Sequence, residues 1–329
     1  MINLPALPAA GEVQDNNALP LSEAFNDALA AARSFALAEK SDATRRAYQA
    51  DWKHFASWCA RQGTDVLPAS IATTAAYLAS LAGDKKKVST IDRRAAAIAY
   101  GHRLAGHVPP TLAEPVKAVL RGIRRRTGVA VERKAPCTAR ALTSILKKID
   151  TTTLRGKRDT ALLLIGFAAA LRRSELTRLN VADIERTDGG IFVHIRRSKT
   201  DQTGEGHAVP VPRGSRLRPV EALDDWIAAA AISDGPVFRA VRRGGHCQKS
   251  ALTDHAVACI IKRYAKAAGL DPALFSGHSL RAGFVTSALE AGSDVLRVMD
   301  ITRHTSVQTL KGYDRRAKAF QNHAGGKFL

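Results

Sequence analysis

The chain has 329 residues, 45% hydrophobic and 24% charged, which is length enough for one large or two ordinary domains, each with its own core. Its 50 Lys and Arg against 30 Asp and Glu leave a formal charge of +20 that is spread along the sequence, and this points to a polyanionic partner, first of all nucleic acid. Cys59, Cys137, Cys247 and Cys259 show no CxxC spacing and no paired framework, which argues against structural zinc and a disulfide scaffold, and the longest apolar run, residues 161–171, is too short to span a bilayer.

Residues 1–19 form an Ala/Pro/Asn leader without a basic n-region, so a flexible leader is expected and not a secretory signal. An Ala-rich helix is predicted from 21 to about 40. A second follows behind Ser41 or Asp42 as its cap, with Tyr48, Trp52, Phe55 and Cys59 on one face and Gly63 as its stop. Further helices are predicted over 68–81, 89–104 and 112–126, which makes residues 20–126 a small all-helical domain. Arg45, Arg46, Lys53, Lys85, Lys86, Lys87, Arg93 and Arg94 cluster near its helix starts and turns, a placement suited to phosphate and groove contacts, though a solvated face would look similar residue by residue. The run 121–136 carries Arg121, Arg124, Arg125, Arg126, Arg133 and Lys134 against a single acid, Glu132. It loses the helical period, and a basic interdomain linker over 127–137 is expected, with Arg121 and Arg124–Arg126 as further DNA contacts.

The second domain, 138–329, opens with Thr138 as a cap and continues into a long apolar helix over about 159–171. Strands are predicted over 181–185, around Ile191, Val193 and Ile195, and over 207–211, with the turn Thr187-Asp188-Gly189-Gly190 joining the first two. Apart from Pro/Arg/Gly loops over 210–219 and 234–249, the remainder reads as helix. The expected fold is therefore mainly α, with a small antiparallel sheet in the second domain.

The stretch 277–314 carries the chemistry. His278 and Arg281 stand three apart at the start of an apolar-periodic run and, on a helix, project from one face, where both can reach one phosphate. His304 and Tyr313 stand nine apart, which on one unbroken helix is ~13 Å of rise with the side chains on opposite faces. A helix start behind Thr305 or Ser306, or a break at Gly312, is therefore needed to bring them together. A tyrosine at such a break, beside cations, can serve as a nucleophile.

HSLR at 278–281, then His304, then Tyr313, resembles the C-terminal signature of the tyrosine recombinases, the phage integrase family. Upstream, ALRRSEL at 170–176 is similar to the family's first box through Arg172 and Glu175, and SKT at 198–200 stands where the family has its lysine, Lys199. Arg173 competes with Arg172, and Arg197 with Lys199; Arg172 is preferred because it follows Leu171 and stands three before Glu175. Each box alone has an ordinary explanation, a surface ion pair, a core histidine or a packed aromatic; the ordered set does not. Two departures concern turns: Ala170 stands where glycine is frequent, and Thr302-Arg303 where many members have Leu-Gly.

The resemblance implies a two-domain recombinase without an added arm-binding domain, in which Tyr313 attacks a DNA phosphodiester to leave a 3′-phosphotyrosine. It implies Arg172 and Arg281 as the phosphate clamp, His278 as base, Lys199 as acid to the departing 5′ oxygen, His304 as a phosphate donor and Glu175 as the group that orients them. No cofactor and no metal is implied. The implied partners are a double-stranded DNA recombination site and three further copies of the chain in a homotetramer on two sites, in a bacterial cytoplasm, with no membrane. A type IB topoisomerase or telomere resolvase would share this chemistry, and a non-catalytic architectural DNA-binding protein would share the fold.

Overall fold

The computed structural model describes residues 22–128, 134–196, 206–308 and 310, and the chain divides into two compact units, 1–131 and 132–329. The first unit is helical throughout its described residues: α1 Glu23–Ala38, α2 Asp42–Gln62, α3 Ile71–Gly83, α4 Val88–Leu104 and α5 Glu114–Thr127. Serines start the first three, since Ser22, Ser41 and Ser70 each accept the amide N–H three residues on, and this satisfies donors that a helix start leaves open. Helix α2 stops at Gly63, whose φ of 64° suits a residue without Cβ.

Trp52, Phe55 and Cys59 of α2 bury against Tyr77, Leu78 and Leu81 of α3, Ile91 and Ile98 of α4, and Val116 and Ile123 of α5. His102 is fixed as a neutral core group. Its Nδ1–H donates to Ile98 O at 2.8 Å while Nε2 accepts the amide of Ala69 at 2.9 Å, and burial lowers its pKa. Residues 121–126 are the last turns of α5, in line with the helix predicted over 112–126 and not with the loss of helical period read over 121–136. The stripe Val116, Val119, Leu120 and Ile123 holds the helix against the core, and the arginines on its other side had masked that stripe.

The second unit contains α6 Ala139–Leu146, α7 Leu154–Ala168, α8 Arg173–Arg178, α9 Pro219–Ala229, α10 Asp254–Ala267, α11 Ser279–Glu290 and α12 Val295–Thr302. Strands β1 Ile184–Thr187, β2 Gly190–Ile195 and β3 His207–Pro212 form an antiparallel sheet in sequence order. Its alternation is visible in the register, where Ile191 faces Val211 and Val193 faces Val209, all four buried. A second antiparallel pair, β4 Arg239–Val241 and β5 Cys247–Ala251, occupies a stretch that the sequence assigned to loop. Strands this short, joined through Arg242-Arg243-Gly244-Gly245, carry too few positions to show an alternation.

Helix α7 is the buried axis of this unit. Its residues 161–167 are all buried, and at Gly166 the missing side chain lets Leu280 of α11 and Leu176 of α8 come close; a Cβ there would sit 2.9 Å from Leu280 Cδ1. Helix α11 is held from the other side by the chain at Cys137, whose amide donates to Ser279 O at 2.8 Å, and a Cβ on Gly283 would collide with the Cys137 carbonyl. The packing of α7 and α11 thus fixes the turn after α7 and the start of α11, where the predicted site residues lie.

Candidate active site

The chain leaves α7 at Ala168 and reverses through Ala170, which takes the left-handed conformation with φ 46°. This is the position where the family often has glycine, and alanine holds the same turn at a cost of about 1–2 kcal/mol. Arg172 then caps α8. Its amide donates to Glu175 Oε2 at 2.8 Å and its Nη1 to Glu175 Oε1 at 2.8 Å, so one carboxylate both closes the helix start and orients the guanidinium. The pair is not a surface decoration, since the Glu175 side chain is 5% exposed and that of Arg172 19%.

Arg281 lies in the first turn of α11, fully buried. Its Nη1 donates to Ala170 O at 2.8 Å and its Nη2 to Thr302 O, so it ties the turn after α7 to the end of α12. His278 is the cap residue before α11, with its amide donating to Ser276 Oγ at 3.3 Å. His278 already has helical backbone, with φ −89° and ψ −12°, and its carbonyl accepts the amide of Ala282, so the three-residue spacing to Arg281 is kept although the helix itself begins at Ser279. His278 remains exposed overall, yet the protein packed around it, then Arg281 and Arg172, lower its pKa from 6.5, so it is neutral at neutral pH.

Helix α12 ends in a left-handed turn at Arg303, φ 55°, and His304 follows. Thr302 Oγ1 donates to Val298 O at 2.6 Å and lies 2.7 Å from His304 Nδ1, while His304 Nε2 faces Arg281 Nη2 at 3.4 Å. These contacts are mutually compatible with one tautomer: Nδ1 carries the proton and Nε2 the lone pair. Burial first, then the cations Arg281 and Arg172, push the His304 pKa down to about 4.

Arg303 was read from the sequence as a matter of turn geometry, and the structure makes it a member of the cluster. Its side chain is 7% exposed and its Nη2 donates to Glu175 Oε2 at 2.7 Å. Its Nε and Nη1 are buried with no hydrogen-bond partner among the described residues. The available signal was an arginine directly before the late histidine, where a residue with no side chain is usual. Arg172 and Arg303 thus share one carboxylate, while Arg281 faces His304 and acts with Arg172 on both neutral histidines, which leaves an excess of positive charge. Lys199 and Tyr313 fall on 197–205 and 311–329, outside the described residues. Leu310, three residues before Tyr313, is buried against Val285, Leu289 and Val298 of α11 and α12.

Of the basic residues expected to meet DNA in the first unit, Arg46, Lys53, Lys85, Lys86, Lys87, Arg93, Arg121, Arg124, Arg125 and Arg126 are exposed and Arg45 is half-exposed. Arg45 and Arg121 pair with Asp42 and Glu114, and Arg124 with Asp92 at 2.7 Å. Arg94 is corrected as a surface contact. Its side chain is 13% exposed and turned inward, 3.5 Å from Asp51 and 3.2 Å from the His54 ring, because α2 presents a buried carboxylate opposite it.

A guanidinium cluster with neutral histidines at hand, on a mainly α frame, makes a positively charged site suited to an anion. Residues 137–319 match the model of the phage integrase family, and the chain belongs to that family, the tyrosine recombinases. It is similar to the integrase/recombinase xerD homolog of Selenomonas ruminantium, 38% identical over 290 residues that cover 87% of this chain and 85% of the relative. It is also similar to the recombinase cre of Escherichia phage P1, 28% identical over 336 residues, covering 95% and 92% of the two chains. In fold it resembles a lambda integrase(75-356) dimer bound to a COC′ core site, with TM-score 0.59 at 19% identity over 88% of this chain and 93% of that one. A lambda integrase tetramer bound to a Holliday junction gives TM-score 0.57 at 20% identity, over 84% and 73%. Among the described residues no helix is long and apolar enough to cross a membrane.

Proposed function

We propose that this chain cuts and rejoins DNA at a specific site through a covalent 3′-phosphotyrosine, with residues 20–126 as a DNA-binding domain, 127–137 as linker and 138–329 as the catalytic domain. The observation that carries the reading is that Arg172, held by Glu175, and Arg281, facing His304, both act on His278 and His304 and lower their pKa values. Guanidinium forks match the two non-bridging oxygens of a phosphodiester, on which negative charge accumulates during in-line attack. A phenol with a pKa of ~10 needs a proton acceptor at neutral pH, and His278, kept neutral by its surroundings, is available as that base.

In this step the Tyr313 oxygen bonds to phosphorus, its proton passes to His278, and the bond to the 5′ oxygen breaks as Lys199 protonates it. The phosphodiester energy is retained in the tyrosyl link, and the 5′ hydroxyl of a second strand reverses the sequence. His304 enters with its Nε2 unprotonated, so it donates to the phosphate after the incoming anion has raised its pKa and a proton has been taken up. By analogy with the DNA-bound dimer and tetramer of lambda integrase, four copies would assemble on two DNA sites, in a bacterial cytoplasm.

The test uses duplexes selected from a randomised library by binding to the wild-type chain, then nicked close to the cleavage position so that the cut strand end is lost. Wild type should yield a covalent protein–DNA adduct and Tyr313→Phe none. No wild-type adduct, or an equal one from Tyr313→Phe, would reduce the chain to a DNA-binding protein with an idle site. Exchange of flanks between two such duplexes, against mere relaxation of a supercoiled plasmid, separates a recombinase from a topoisomerase of the same chemistry.

A further inference from the structure

We infer that Arg303 is a positioning residue for strand cleavage, acting on the phosphate-binding Arg172 through the shared carboxylate of Glu175. The inference rests on the reading of Arg172 as part of the phosphate clamp, and it adds a residue to that site where a glycine is frequent in the family.

Three observations lead to it. Glu175 takes hydrogen bonds from the Arg172 amide and Nη1 on one side and from Arg303 Nη2 on the other, so its carboxylate cannot rotate without breaking a contact to one of the two arginines. An Arg172–Glu175 pair alone would be neutral, which blunts a group meant to hold an anion. With Arg303 the three side chains carry net positive charge, and the guanidinium of Arg172 stays an effective partner for phosphate. Finally, a non-glycine residue occupies a left-handed position at φ 55°, with its long side chain directed into the interior where Nε and Nη1 find no acceptor among the described residues. A side chain held under backbone strain with two buried donors unmet is poorly explained by folding alone. Those donors strengthen the positive field at the clamp and are available to an acceptor that arrives with the substrate.

Arg303→Gly, Arg303→Gln and Arg303→Lys would be compared with wild type in single-turnover adduct formation on the selected nicked duplexes. Affinity for the same duplexes and melting curves would be recorded in parallel. Arg303→Gly also removes the strain of the left-handed turn, so it is the variant most sure to fold. The glycine and glutamine variants should slow adduct formation ~10–100-fold, the range seen when an outer partner of an active-site ligand is removed, with DNA affinity within roughly twofold of wild type. The lysine variant, which keeps charge but not the fork, should recover part of the rate. In a Glu175→Gln background Arg303→Gln should have little further effect, because the path through the carboxylate is already cut.

Wild-type rates in the glycine and glutamine variants, or an undiminished Arg303→Gln effect on top of Glu175→Gln, would overturn the inference while leaving the recombinase reading intact. Collapse of the melting curve or loss of DNA affinity in all three variants would assign Arg303 to folding and likewise overturn it. Absence of a wild-type adduct would overturn both.

Discussion

Each unit of the chain holds a carboxylate between two arginines, and the two clusters differ in what surrounds them. In the first, Asp51 Oδ1 receives Arg93 at 3.1 Å and lies 3.5 Å from Arg94, while its Oδ2 is buried without a partner among the described residues. Burial outweighs the arginines and raises the Asp51 pKa, and the neighbours are His54 and the phenol of Tyr77, itself pushed up to about 12 by burial. That cluster joins α2 to α4 and behaves as part of the packing. In the second, both oxygens of Glu175 are engaged, a third arginine stands close by, and two histidines are kept neutral by burial and then by the cations. The same pair of side-chain types becomes a strut where it lies within helix packing and an anion seat where a third arginine and two neutral histidines stand with it.

The largest expected effect comes from Arg281→Ala. It removes a phosphate donor, which should slow adduct formation ~10²–10³-fold. It also strips the buried Ala170 and Thr302 carbonyls of their partner, at about 1–3 kcal/mol each in denaturant unfolding. The comparison itself is tested by a matched pair of neutral substitutions. Glu175→Gln should slow adduct formation ~10–100-fold with a modest change in melting. Asp51→Asn should reverse that profile, lowering stability by about 1–3 kcal/mol and leaving the cleavage rate within roughly twofold. Equal profiles for the two variants would erase the distinction.

A pH series sharpens it further, because the two clusters have opposite signs. The His304 pKa is depressed from 6.5 to about 4, so the unfolded chain takes up a proton that the folded chain refuses. The stability it contributes is full above pH 6.5 and is lost as the pH falls toward 4; His304→Gln should flatten the loss of melting temperature across that window. The Asp51 pKa is raised instead, so its contribution is present below 3.8 and is lost as the pH rises through its folded value, and Asp51→Asn should remove a term of that opposite slope. The smallest effect concerns the exposed turn between α3 and α4. Replacing Lys85, Lys86 and Lys87 singly by Ala should reduce the salt slope of DNA binding by ~1 each and leave melting nearly unchanged.

Much of this was legible in the sequence where the signal is local. The Ser41 cap, the Gly63 stop and the Trp52–Phe55–Cys59 stripe marked α2 because capping and helical period are written in adjacent residues. Arg172, Glu175, Arg281 and His304 were marked by residue type and order, and the fold bonds Arg172 to Glu175, sets Arg281 against His304 and brings Arg172 near enough to lower the His304 pKa. What was not legible depends on partners distant in the chain. Arg94 counts as one more surface cation until α2 sets Asp51 opposite it, and Arg303 counts as a turn residue until Glu175, 128 positions away, receives it. That α11 begins at Ser279, with His278 as its cap in helical backbone, is a difference of one residue that periodicity does not resolve.

The account turns on Tyr313 meeting a phosphate held by Arg172 and Arg281. Its most direct test is to trap the adduct on a selected nicked duplex, digest protein and DNA, and find by mass spectrometry which residue carries the nucleotide. The account predicts the peptide containing Gly312-Tyr313-Asp314, with a single nucleotide joined through its 3′ phosphate to the tyrosine. A nucleotide on any other residue, or joined through a 5′ phosphate, would contradict it.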